Sequence, residues 1–214
     1  MSNKHELRGR KLELYINLKY PEWKVQRPIR FWDETYKIDP KTFILSDDNV
    51  LKDIVKANRL KASLNHDKTV ANCMNWIKDN IEYTRDRIDW KVTNNWKLPS
   101  ITAQSKIGDC EDTSLLLVSL AINAWVPYYR LKVVSWTVQF SETAPTGWHA
   151  WVLYCREEDN EWEVWESTSK WTANKWLAKD LIWWDKYKKI YWTCNEKKIF
   201  SQKEIKSSDW GEFI

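Results

Sequence analysis

The chain has 214 residues, 43% of them hydrophobic and 30% charged, with 34 Lys and Arg against 30 Asp and Glu for a net charge of +4. This length predicts one domain or at most two, and the composition excludes a disordered or collagen-like protein. The positive charge is spread along the chain, which argues against nucleic acid as a partner, and no apolar run approaches the roughly 18 residues of a bilayer span, so no membrane partner is expected.

The polar start, Met1 to Glu6, lacks the apolar core of a signal peptide, and the expected location is cytoplasmic, or virion-associated if the chain is phage-encoded. Residues 1–45 read as an extended lead-in. Within it Leu12, Leu14, Ile16 and Leu18 alternate with polar residues at the period of a half-buried strand, and prolines at 21, 28 and 40 break any long element. Ser46 and Asp47 are placed to cap a helix with Val50, Leu51, Ile54, Val55 and Ala57 on one face. Asp67 is placed to cap a second, with Val70, Cys73, Ile77 and Ile81 at helical spacing, and Cys73 on that stripe reads as core packing. After a polar connection with Trp90, Trp96 and Pro99, the segment from Gln104 to Trp125 contains a helix that is apolar nearly all round, Leu115 to Ile122, and is therefore expected to be buried on most sides.

Beyond Pro127 the period changes to that of strands. Tyr129, Leu131 and Val133 alternate with Arg130 and Lys132, and strand-like runs cover Trp148 to Tyr154, Trp162 to Ser167 and Lys189 to Thr193, with an amphipathic stretch at Thr172 to Ile182. Helices followed by an antiparallel sheet define an α+β fold. The expected organisation is the lead-in 1–45, a main domain over 46–200 and a tail over 201–214.

Four cysteines, at 73, 110, 155 and 194, fit neither a zinc pattern nor a small disulfide framework, so a reducing compartment is the default and no metal or cofactor is expected. Seventeen tryptophans contrast with only 4 glycines, where an average chain has roughly 7% glycine. Most of the tryptophans are assigned to core and sheet packing.

A cysteine is a useful nucleophile when its thiolate is populated, and the amides of a helix start favour that state. Cys110 lies at such a start, in Gly108-Asp109-Cys110-Glu111-Asp112, although the acidic residues also suit a first turn on their own account. Of three histidines, His5 lies in the polar lead-in and His66 between the two predicted helices, while His149 opens a strand in Gly147-Trp148-His149-Ala150-Trp151-Val152. A glycine stands two residues before Cys110 and another two before His149, as a tight site needs where backbones approach closely. Glu161, Glu163 and Glu166 are the candidate carboxylates for holding the imidazole. A hairpin over Arg156 to Asn160, with a two-residue loop at Glu158 and Asp159, sets His149 opposite Thr168 and diagonal to Glu166 on one sheet face, so Glu166 is the expected partner. Gln104, six residues before Cys110, could join the Cys110 backbone amide in an oxyanion hole, and Trp148 beside His149 is the candidate substrate-binding residue.

Gly108-Asp109-Cys110-Glu111-Asp112, Trp148-His149-Ala150-Trp151-Val152 and Val164-Trp165-Glu166-Ser167-Thr168 resemble the three core motifs of the transglutaminase-like superfamily of cysteine enzymes. Residues 76–83 and 96–100 are similar to the segment before the nucleophile in its bacterial and phage members, and the likeness spans roughly residues 68–170. It implies a papain-related core with Cys110 as nucleophile, His149 as base and then acid, and Glu166 as orienting carboxylate, giving a Cys-His-Glu triad that transfers acyl groups from amides of a protein, peptide or isopeptide substrate through a thioester. The superfamily includes proteases, transglutaminases and amidases. Two features depart from it: the third motif usually carries Asp-Pro-Thr, and Trp125 and Trp136 fall where relatives often carry glycine, which predicts a repacked sheet edge. The alternative is a non-enzymatic structural or interaction protein, such as a phage-particle component, that keeps the fold and assembles through a Trp-rich surface.

Overall fold

The computed structural model describes residues 27–31, 34–38, 40–85, 96–138, 147–168, 175–177, 187–197 and 199–201. The strand expected over Leu12 to Leu18 and most of the stretch at Thr172 to Ile182 lie outside them.

Strands β1 (Arg27–Phe31) and β2 (Glu34–Ile38) form an antiparallel pair of their own. Helix α1 (Asn49–Ala57) follows, buried through Leu51 and Val55. Its N-cap is Asp48, whose side chain accepts from the Leu51 amide at 3.0 Å, so the cap falls just after the expected Ser46 and Asp47. Helix α2 (His66–Asn80) is instead capped two residues earlier than expected, by Asn65, whose side chain accepts from the Lys68 amide at 2.7 Å. Asp67 is engaged elsewhere: its carboxylate accepts from the Tyr154 hydroxyl and the Glu157 amide, both at 2.6 Å, tying the first turn of α2 to the hairpin that carries the sheet.

The segment expected to hold one helix from Gln104 contains two. Helix α3 (Pro99–Ser105) starts with proline in its first turn and ends at Lys106, which adopts φ 62°. A two-residue strand β4 (Ile107–Gly108) then pairs in parallel with β3 (Glu82–Tyr83) before α4 (Cys110–Asn123) begins. The break has a steric requirement: a Cβ on Gly108 would lie 2.9 Å from both Asp112 Cβ and Thr102 Cγ2. Gly147, by contrast, has nothing within 4 Å of the same position, so the close approach expected before His149 is absent there.

Helix α4 is buried on nearly every side, as its composition predicts. Its apolar faces meet α1 and α2 on one side and, on the other, the strands β5 (Leu131–Val138), β6 (Gly147–Cys155) and β7 (Trp162–Trp165), where Val133, Val152, Tyr154 and Trp165 complete the core. With β8 (Lys175–Leu177), β9 (Tyr187–Cys194) and β10 (Ile199–Ser201), these form a six-stranded antiparallel sheet of order β10-β9-β5-β6-β7-β8. Trp136 therefore lies on a central strand, at a register shift against β9, and Trp125 lies beyond the end of α4. Neither is at a sheet edge, contrary to the expectation. Among the described residues no helix is long and apolar enough to cross a membrane.

Candidate active site

The β6–β7 hairpin aligns Val152 with Trp165 and Cys155 with Trp162, the register expected from the sequence. The turn is one step wider than predicted: Arg156 N still donates to Glu161 O at 2.9 Å, and Asn160, at φ 63°, closes a four-residue loop. An even loop preserves the face, so Glu166, just past the end of β7, reaches His149 on β6. His149 Nε2 lies 2.9 Å from Glu166 Oε2 and 3.1 Å from Oε1, with both residues buried at 8% exposure. Thr168 Oγ1 donates to Glu166 Oε2 at 3.2 Å, and Ser167 Oγ donates to Thr113 Oγ1 at 2.8 Å, which fastens the carboxylate's segment to the first turn of α4.

Cys110 opens that turn and is 6% exposed. The backbone amide of Ala150, next to His149, donates toward its Sγ and lowers the thiol pKa. That influence is outweighed. Burial, followed by the negative charges of Glu111 and Asp109 and the hydrogen bond from Sγ to Glu111 Oε2 at 3.0 Å, raises the Cys110 thiol well above its ordinary value. The expectation of an acidified thiol at a helix start is therefore reversed in this geometry. Amides at the helix start favour a thiolate, but two adjacent carboxylates and desolvation oppose it more strongly. Burial also pushes Cys73 up to about 12 and Cys155 to about 11, and all four cysteines are free thiols.

Asp112, one position beyond Glu111, is fully buried. Its carboxylate accepts from the Lys97 amide at 2.8 Å and pairs with Lys97 Nζ at 2.7 Å, yet desolvation raises its pKa to about 6. It anchors the connection that leads into α3. Tyr83, on β3, lies close enough to Cys110 and Asp109 that, after burial, their charges help raise its phenol.

Two candidates remain. Gln104 is exposed on α3. Trp148 is half-buried and packs against the core beside Trp96, with ring centroids 6.4 Å apart; as the neighbour of His149 on a strand it points to the opposite face. The donor atoms of Asp109, Cys110 and Glu111 lie within 4.8 Å of one another, close enough to share a cation, and after burial the same two carboxylates help raise the thiol. Sequence reasoning treated Glu111 as a first-turn residue and gave Ser167 no role. The signal for Glu111 was its adjacency to the nucleophile candidate; nothing local signalled that Ser167 reaches Thr113.

No protein-family model matches the chain, and no curated protein matches it. Among solved structures, Legionella pneumophila LapG superposes with TM-score 0.53 at 16% identity, covering 81% of this chain and 91% of that one. EGTA-treated LapG gives TM-score 0.53 at 15% identity with the same coverage. A Cytophaga hutchinsonii protein described as a candidate cysteine protease matches over 61% of this chain and 42% of its own at 18% identity, and its TM-score of 0.41 is too low to carry weight. The fold is accordingly the transglutaminase-like α+β arrangement, with helices packed on an antiparallel sheet.

Proposed function

We propose that the protein is a cysteine-dependent acyl-transfer enzyme acting on an amide bond of a peptide, protein or isopeptide. The observation that carries the reading is the buried His149–Glu166 pair set one residue from the Ala150 amide that donates toward Cys110 Sγ. With Nε2 held by Glu166, Nδ1 is the ring nitrogen that takes the thiol proton. Sγ then attacks the amide carbonyl carbon, and the Cys110 backbone amide at the helix start supplies a donor to the oxyanion. The C–N bond breaks as His149 returns the proton to the leaving nitrogen, which leaves a thioester on Cys110. Water then gives hydrolysis, and an amine gives cross-linking. Because the resting thiol donates to Glu111, the reaction begins with rotation of the Cys110 side chain away from that carboxylate when substrate enters.

That same hydrogen bond favours the second reading, a non-enzymatic member of the fold that assembles through its aromatic surface. The two readings are separated by incubating wild type and Cys110→Ala with a library of peptide and isopeptide amides plus hydroxylamine, which captures a thioester as a hydroxamate. The enzyme reading predicts hydroxamate from wild type and none from Cys110→Ala, at unchanged thermal stability, since a small residue at a helix start leaves little cavity. No hydroxamate from any amide would leave the structural reading in its place.

A further inference from the structure

At the other end of α4, about 20 Å from the nucleophile by helix length, two helices terminate side by side in the same hydrogen-bonded motif. At the end of α1, Arg59 N donates to Lys56 O and Leu60 N to Val55 O; at the end of α4, Trp125 N donates to Ile122 O and Val126 N to Ala121 O. Each motif requires a left-handed residue and ordinarily takes glycine. Here the positions hold Arg59 at φ 51° and Trp125 at φ 75°, and their side chains line one open groove of about 790 Å³ together with Lys56, Lys61 and Tyr128.

The cations have an ordinary explanation in part, since positive side chains compensate the dipoles of helix C-termini. Trp125 has none of that kind. It bears the left-handed conformation that disfavours any residue with a Cβ, its side chain is 74% exposed, and Lys61 Nζ stands 4.6 Å from its ring centroid. Folding would favour glycine there on both counts. Of the charges around the groove, Lys52 is paired with Asp47 and Glu196 with Lys197, whereas Lys56 and Arg59 form no ion pair among the described residues. Lys56, Arg59 and Lys61 thus bring three positive charges to the rim of one groove.

We propose that this groove binds single-stranded nucleic acid, with Lys56, Arg59 and Lys61 following the phosphates and a base stacking on Trp125. A flat aromatic platform beside a line of cations is how sequence-tolerant single-strand sites are built. An acidic peptide without aromatic residues would satisfy the charges but offer no plate to the ring, whereas every nucleotide carries both a charge and a flat base.

The test is fluorescence anisotropy of a labelled thymidine oligomer of roughly fifteen nucleotides, titrated with the full chain at several salt concentrations. Binding is expected to weaken with salt with a log–log slope of about −2, for three phosphate contacts at about −0.7 each. Trp125→Gly should weaken it about tenfold while the melting temperature holds or rises, because glycine relieves the left-handed backbone. Lys56→Glu with Arg59→Glu should abolish it, and Cys110→Ala should leave it unchanged. Absence of binding at low salt, wild-type affinity in the Trp125 and double charge variants, or equal competition by poly-glutamate at matched charge would overturn the proposal.

Discussion

Cys110 Sγ donates to a carboxylate while the candidate base stands one residue away from the amide that donates toward it, so the resting site stores its proton on sulfur. Glu111 raises the thiol both by charge and by hydrogen bonding, so replacing it with a neutral amide removes two of the influences that disfavour the thiolate. Glu111→Gln should therefore shift the pH profile of Cys110 alkylation by iodoacetamide to lower pH, although burial and Asp109 keep it above the ordinary thiol value. Peptide mapping across pH checks this, and an unchanged profile would show that Glu111 does not hold the thiol up. The pairing of His149 with Glu166 was legible in sequence because strand parity and an even hairpin leave one face for each side chain. The protonated thiol was not legible: helix-start amides and first-turn carboxylates lie in the same five residues, and which of them governs Sγ depends on rotamers and burial that spacing does not encode.

The elements follow their periodic patterns while their ends do not. Helix α4 and strands β6, β7 and β9 fall where apolar spacing puts them, since a buried face constrains every third or fourth residue of a helix and every second residue of a strand. The caps moved because neighbouring Asp and Asn residues compete for the same role, and Asp67 is drawn off by Tyr154 and Glu157. The α3–α4 break combines the left-handed Lys106 with the close approach at Gly108. Gly108→Ala would press a methyl into Asp112 and Thr102, displacing the turn that sets Cys110. It should cost about 1–3 kcal/mol, as over-packing does, read as a lower midpoint in denaturant together with slower Cys110 alkylation. Wild-type stability in this variant would mean that the approach to Asp112 relaxes freely. Gly147→Ala, with open space around it, is the matched control.

In the molecule as a whole, α4 acts as a strut. Its first turn carries the thiol and grips the Glu166 segment through Thr113, its middle fills the core against the sheet, and its last turn ends in the cationic groove. The helix-then-sheet order made the α+β class legible, and three short motifs made the candidate site legible. The groove was hidden because Arg59 and Trp125 are 66 positions apart in the chain and meet only when α1 packs on α4. The central claim is that Cys110 is a nucleophile served by His149. It is tested most directly by intact-mass and peptide-mapping measurement of the adduct formed with a peptidyl vinyl sulfone in wild type and in His149→Ala. We predict a single adduct on Cys110 in the wild type, slowed by about 10²-fold or more without the imidazole. Labelling at Cys73, Cys155 or Cys194 instead, or labelling of Cys110 at the same rate in both proteins, would contradict the account.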